Sequence, residues 1–245
     1  MTEPTVPPST IVVHHLNNSR SQRILWLLEE LEIPYEIKKW ERTPEMVAPA
    51  ELKKVHPLGG SPVIQDGDLV LAESGAIVEY LITKYGNGRF SPSEGGWTDN
   101  LYYTHYAEGT LMPYLVNLLV FSIIPDRSPL IIRPILRMAF NGIISQMVGP
   151  RLKLNSKMIE DHLAKNPGRF FAGGEKLTSA DFQMVFPLEA WLNRGSELAP
   201  LGEHTRKFVE TVHARPWKKE ENTHMPKAKY SWSETIARQK QLVEM

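Results

Sequence analysis

Along the first third of the chain, short apolar runs trade places with stretches in which apolar positions recur at helical spacing. Residues 10–15, TIVVHH, form a β-branched run of the kind that makes a buried strand. Ile24, Leu27, Leu28 and Leu31 then share one helical face, with Glu29, Glu30 and Glu32 on others, until Pro34 stops the helix. PYEIKKW (34–40) is strand-like, and Pro44 to Val55 reads as a short helix or irregular turn. SPVIQDGDLVLAES reads as two strands joined at Asp66-Gly67, a dipeptide that favours a tight hairpin. Ala76, Ile77, Tyr80 and Leu81 predict a further helix ending before Gly86. The order strand, helix, strand, helix, strand, strand, helix over 10–86 predicts a compact α/β unit on a small mixed sheet, with a right-handed first crossover.

The glycine-rich stretch GNGRFSPSEGGW then marks a linker, assigned to 87–97, after which the strand signal disappears. Leu111, Leu115, Leu118 and Leu119 share a helical face, as do Met158, Ile159, His162 and Leu163 before Gly168, which is placed to end that helix. In LTSADFQMVF, Thr178 can cap the amide of Asp181, Asp181 can bond back toward Thr178, and Leu177 can staple onto Phe182. An all-helical domain is therefore expected over 98–235, with flexible or frayed tails at 1–9 and 236–245.

Composition narrows the function. Of 245 residues, 42% are hydrophobic and 23% charged, the profile of a folded globular chain. Lysine plus arginine (28) balance aspartate plus glutamate (28), so no net basic field draws the chain to nucleic acid. There is no cysteine, which removes disulfides, thiolate metal sites and a protein thiol as nucleophile. MTEPTVPPST lacks the cationic flank and apolar core of a secretory signal, so a cytoplasmic location is expected. The apolar segment 129–149 is interrupted by Arg133, Arg137, Asn141 and Gln146, which favours an amphipathic helix over an integral membrane segment. His14 and His15, with His56 or His105, are the histidines to consider as a metal set. Adjacent strand residues point to opposite faces, so no metal site is expected.

Four features in order along the chain, NNSRSQR, HPLGGSPV, the AES helix start and LTSAD, make residues 10–225 resemble the cytosolic glutathione transferases. Within that family the chain looks most like serine-type enzymes of fungi and bacteria with a LAESGAI helix start. The resemblance implies a thioredoxin-like N-terminal domain, an all-α C-terminal domain, a homodimer, and glutathione as co-substrate with no other cofactor.

It also implies roles for particular residues. Ser61-Pro62 matches the family's cis-proline turn, where the backbone before the proline pairs with the cysteinyl part of glutathione; by itself the proline also suits a loop entering a strand. Glu73 and Ser74 lie where a helix start suits the γ-glutamyl carboxylate and Glu73 its ammonium, and Ser74 serves equally as a cap. The donor to the glycyl carboxylate stays open: Gly60 stands where many relatives carry lysine or glutamine, leaving His56, Lys53, Lys54 and Arg42. Ser19 matches the family's hydroxyl donor to the thiolate, with simple helix capping as its other reading and Asn17 and Asn18 as rival donors, one of which can hold the loop.

The family's second substrate lies along the helix LYYTHYAEGTLMPYL, where Tyr102, Tyr106 and Met112, with Tyr103 and His105, suit small apolar electrophiles or serve as core. Conjugation and reduction of organic hydroperoxides fit a cysteine-free chain better than mixed-disulfide chemistry. A non-catalytic carrier or dimerisation module of the same fold is the alternative.

Overall fold

The computed structural model describes residues 10–215; expectations for 1–9 and for the chain beyond 215 lie outside the described residues. The chain divides into two compact units, one up to Arg89 and one from Phe90.

The first unit runs β1 (Ile11–Leu16), α1 (Ser21–Leu31), β2 (Tyr35–Trp40), a 3₁₀ turn (Ala50–Lys54), β3 (Val63–Asp66), β4 (Leu69–Ala72) and α2 (Ser74–Tyr85). The sheet order is β2-β1-β3-β4, with β1 parallel to β2 and antiparallel to β3, and β3 antiparallel to β4. This is the thioredoxin-like mixed sheet. The β-branched run makes β1 an inner strand: Ile11, Val13 and Leu16 are buried with Val63 and Ile64, while Ile24, Leu27, Leu28, Leu31, Ile77, Val78 and Leu81 bury their side chains on α1 and α2. The hairpin falls at Asp66-Gly67, where Gly67 takes the left-handed φ of 60° that its missing Cβ makes cheap. Asp66 is buried and accepts hydrogen bonds from Tyr80 Oη at 2.6 Å, Lys84 Nζ at 2.8 Å and Tyr85 Oη, which ties the end of β3 to the last turns of α2.

The second unit contains, in its described part, α3 (Trp97–Tyr106), α4 (Met112–Asp126), α5 (Arg133–Ile143), α6 (Gly149–Ala164), α7 (Ser179–Arg194) and α8 (Glu203–His213). Two π turns, Ala107–Leu111 and Ile144–Val148, join α3 to α4 and α5 to α6 without a break. One helix among the described residues, Glu94–Asp126, is long and apolar enough to cross a membrane by length and composition, a test the 129–149 segment does not pass. Tyr103, Tyr106, Leu111, Met112, Leu115 and Leu118 are among its buried side chains. The 129–149 segment forms α5 and the π turn after it. Phe140 packs on Phe121 of α4 with ring centroids 5.6 Å apart, and Ile131, Ile135 and Met138 form an exposed apolar stripe. Helix α6 ends at Ala164, ahead of Gly168, because Pro167 disfavours helical conformation at the residue before it; Gly168, at φ 77°, belongs to the following turn.

Carboxylates close the starts of two helices in this unit, α7 and α8. The Glu160 carboxylate of α6 accepts the His204 amide at 2.9 Å, the Thr205 amide at 3.0 Å and the Thr205 hydroxyl at 2.7 Å, covering the first turn of α8. A Cβ at Gly202 would lie 2.1 Å from that carboxylate, so the close approach requires glycine. At α7 the Thr178–Asp181 capping box is formed. The wholly buried Asp181 accepts from the Phe171 amide at 2.8 Å, the Thr178 amide at 2.7 Å and the Thr178 hydroxyl at 3.0 Å. Burial pushes its carboxyl up to about 6, and the three donors work against that rise.

Asp181→Ala should lower the unfolding free energy by about 3 kcal/mol, since it removes a cap and strands two buried amide donors; denaturant unfolding measures it. Because the folded carboxyl titrates near 6 and the unfolded one near 3.8, the folded state holds its proton more tightly. The stability this adds is complete below the lower value and is lost as the pH rises through the higher one, a slope absent from Asp181→Asn.

Candidate functional site

The site is built where β1 ends and β3 begins. The Ser61–Pro62 bond is cis, and Pro62 has no N–H to give to the ladder. The Ser61 side chain takes over: its hydroxyl donates to the His14 carbonyl at 2.9 Å and accepts the Leu16 amide at 3.2 Å. Neither the N–H nor the C=O of Ser61 has a partner among the described residues.

Between β1 and α1 the chain turns through Asn17, Asn18, Ser19 and Arg20. Asn17 is spent on structure: its side-chain oxygen accepts the Arg42 amide at 2.9 Å and its carbonyl accepts Arg42 Nε at 3.3 Å. Asn18 has φ 51°, a left-handed conformation that asparagine tolerates better than most residues, and its carbonyl accepts Arg42 Nη2 at 3.3 Å. Arg42, one of the cations considered for the glycyl carboxylate, thus holds this loop; burial, and then Arg20, lower its pKa.

The N-cap of α1 is Arg20, with no side-chain cap bond, so Ser19 stands one residue outside the cap position. Ser19 is buried, with its Oγ 2.7 Å from Ser21 Oγ and 3.4 Å from Ser61 Oγ, and it accepts the Ser21 amide at 3.3 Å. Ser21 Oγ in turn lies 2.8 Å from His15 Nδ1. Periodicity alone could not disclose Ser21 or His15 here, because the link depends on how the turn folds back beside β1.

Ser74 is the first residue of α2, and Glu73 is its cap residue, at φ 70° and ψ 115°. That conformation is rare outside glycine and costs on the order of 1–3 kcal/mol, a strain that collects at functional positions. Glu73 is exposed, and its side chain makes no cap bond to the helix. The buried Ser74 hydroxyl accepts from Nη1 of the equally buried Arg23 at 3.4 Å. Arg23, a cation inside an apolar helix face, was not singled out by the sequence pattern.

His56 is apart from this cluster: its Nδ1 accepts the Leu58 amide at 3.4 Å in the turn after the 3₁₀ segment, while Lys53, Lys54 and Gly60 are exposed. In the second unit, Tyr106 and Met112 are buried, and the Tyr106 hydroxyl donates to Asn155 Oδ1. Tyr102 is 49% exposed and stacks on Tyr106 with centroids 5.6 Å apart. Of these three tyrosine and methionine side chains, Tyr102 alone offers surface, and the other two pack the interior of the unit.

The two adjacent histidines part company. His14 accepts from Trp40 Nε1 at 3.1 Å on Nδ1, so its hydrogen is on Nε2 and goes to Gln65 Oε1 at 3.1 Å, while His15 faces Ser21. No group of three metal-ligating side chains occurs among the described residues.

Comparison with known proteins bears on the family of the whole chain. Residues 8–83 match the family "Glutathione S-transferase, N-terminal domain". The chain is 43% identical over 183 residues to glutathione S-transferase 3 of Schizosaccharomyces pombe, spanning 74% of each chain. It is 35% identical over 193 residues to glutathione S-transferase 1 of Saccharomyces cerevisiae, covering 75% of this chain and 82% of that one. Among solved structures, a glutathione S-transferase from Actinobacillus pleuropneumoniae superposes with a TM-score of 0.63 at 30% identity, over 84% of this chain and 88% of the other. Likeness of that extent, spread over both units, is what common descent leaves behind: the chain belongs to the glutathione S-transferase family.

Proposed function

We propose that this glutathione transferase is of the serine type, with Ser19 as the group that stabilises the glutathione thiolate, and that it transfers glutathione to small apolar electrophiles. The observation that carries it is the Ser19 hydroxyl, buried beside the unpaired backbone of Ser61. Glutathione's cysteinyl backbone would pair with Ser61 next to Pro62, and that pairing would bring its sulfur to Ser19.

An unperturbed thiol has a pKa of ~8.5 and is only slightly ionised at neutral pH. Lowering it by ~2 units takes about 2.7 kcal/mol of preferential thiolate stabilisation. One charge-assisted hydrogen bond supplies about 1.5–3 kcal/mol, so one hydroxyl near a helix start reaches the required size. Ser19 acts by donating a hydrogen bond and not as a base, because a serine hydroxyl does not accept a proton near neutrality. Asn17 is a poor rival, since its side chain is already bonded to the Arg42 amide; Asn18 remains a ligand of the bound tripeptide.

At the other end of glutathione, the γ-glutamyl carboxylate would sit at the start of α2 on Ser74, with its ammonium on the exposed Glu73. His56 is the nearest match for the glycyl carboxylate, with Gly60 leaving that contact underbuilt. Tyr102 is the side chain best exposed to meet an electrophile. Organic hydroperoxides fit the same thiolate chemistry. A homodimer accords with the exposed apolar Leu69 and Val70 on the edge strand β4 and with Val116 and Val120 on α4.

Ser19→Ala should lower kcat toward an aryl halide about tenfold or more while leaving the KM for glutathione within a few-fold. An unchanged rate would remove Ser19 from the chemistry, and retention on immobilised glutathione without turnover in the wild-type protein would favour a carrier. A Cβ at Gly60 meets nothing within 4 Å, so Gly60→Lys fits without strain. It should lower the KM for glutathione about threefold by giving the glycyl carboxylate a cation at an exposed site; an unaltered KM would mean that this carboxylate is already held elsewhere.

A further inference from the structure

The hydroxyls around Ser19 form a chain that begins at a histidine. His15 Nδ1 lies 2.8 Å from Ser21 Oγ, and Ser21 Oγ lies 2.7 Å from Ser19 Oγ. Each contact is filled by one hydrogen, so the chain can point in only two ways. If Nδ1 is bare, Ser21 donates to it, Ser19 must donate to Ser21, and Ser19 has no hydrogen left for a sulfur. If Nδ1 carries hydrogen, it donates to Ser21, Ser21 donates to Ser19, and the Ser19 hydrogen is turned outward.

The neighbouring groups fit the second arrangement. The Ser21 amide donates to Ser19 Oγ at 3.3 Å in either arrangement, and Ser61 is what separates the two. The hydrogen of Ser61 is committed to the His14 carbonyl, so the 3.4 Å contact between Ser61 and Ser19 can be filled only by the Ser19 hydrogen. A bond of that length is weak, and a thiolate, as a charged acceptor, would displace it.

We propose that His15, acting through Ser21, is a positioning residue that holds the Ser19 hydroxyl hydrogen on the glutathione sulfur. The proposal rests on the role of Ser19 given above. Burial, and then Lys39, its partner in the β1–β2 register, lower the pKa of His15, so the ring is neutral at pH 7 and has a single N–H to place. That hydrogen is on Nδ1, the tautomer opposite to the one Trp40 imposes on His14. Donors in series polarise one another, so a Ser19 oxygen that accepts from Ser21 becomes a better donor to sulfur.

The test is a titration of enzyme-bound glutathione, read by the ultraviolet absorbance of its thiolate, together with steady-state kinetics. His15→Leu and Ser21→Ala should each raise the apparent pKa of the bound thiol and lower kcat about fivefold, with the KM for glutathione within about twofold. His15→Asn, whose side-chain amide can donate from near the Nδ1 position, should recover most of the loss. On a Ser19→Ala background, His15→Leu should add nothing further, the non-additivity expected of groups acting through one another.

If Ser19→Ala shifts the titration while His15→Leu and Ser21→Ala leave it at the wild-type position, the chain is refuted and the role of Ser19 stands. If Ser19→Ala itself leaves it unmoved, both fall. Equal losses in His15→Asn and His15→Leu would reduce His15 to a packing group and likewise overturn the proposal. Should His15→Leu fail to fold, Ser21→Ala, which deletes a single oxygen, carries the same comparison.

Discussion

The first unit depends on one side chain standing in for backbone. Where the β1–β3 ladder meets Pro62, the main chain has no amide to offer, and the Ser61 hydroxyl bonds both the His14 carbonyl and the Leu16 amide. A buried strand end with two unpaired backbone groups would cost about 1–3 kcal/mol for each. The hydroxyl removes that penalty, while the N–H and C=O of Ser61 itself stay without a partner among the described residues. It also fixes the end of β1 against the start of β3, and the turn carrying Ser19 springs from that end.

The second unit solves a related problem with carboxylates. Glu160 closes α8, Asp181 closes α7, and the side-chain amide of Asn100 accepts the Ala180 N–H on Oδ1 at 3.0 Å. The wholly buried Asp181 and the half-buried Glu160 are each tolerated because they accept several hydrogen bonds, including from amides that a helix start leaves unmatched. In the second unit the starts of α7 and α8 are in this way spent on cohesion.

Much of the fold was legible because it follows from periodicity. The β-branched run, the leucines of α1, the Asp66-Gly67 hairpin and the Thr178–Asp181 box each announce one element by local rules, and each forms. For the candidate site, only residue types could be read, with Ser19, Ser61, Glu73 and Ser74 as the proposed ligands. The rest arises from tertiary approach. Nothing in the spacing of His15 and Ser21 says that their side chains meet, and nothing in an apolar helix face says that Arg23 will be buried there and donate to Ser74. The end of α6 was misread for a simpler reason, since glycine was weighed as the stop when the proline before it had already ended the helix.

The two π turns bear on how the helical unit varies between relatives. An α-helix that gains a residue rotates everything downstream by about 100°, which would turn a packed face toward solvent. A π turn absorbs that residue locally and returns the helix to its former pitch. At Ile144–Val148 the turn closes on the buried Val148, from which Leu152 and Ile159 of α6 carry the inner face onward, while Phe140 before it stays half-buried against Phe121. Single-residue length differences between homologous sequences should therefore gather at 107–111 and 144–148, and an alignment that opens its gaps there keeps the two cores in register.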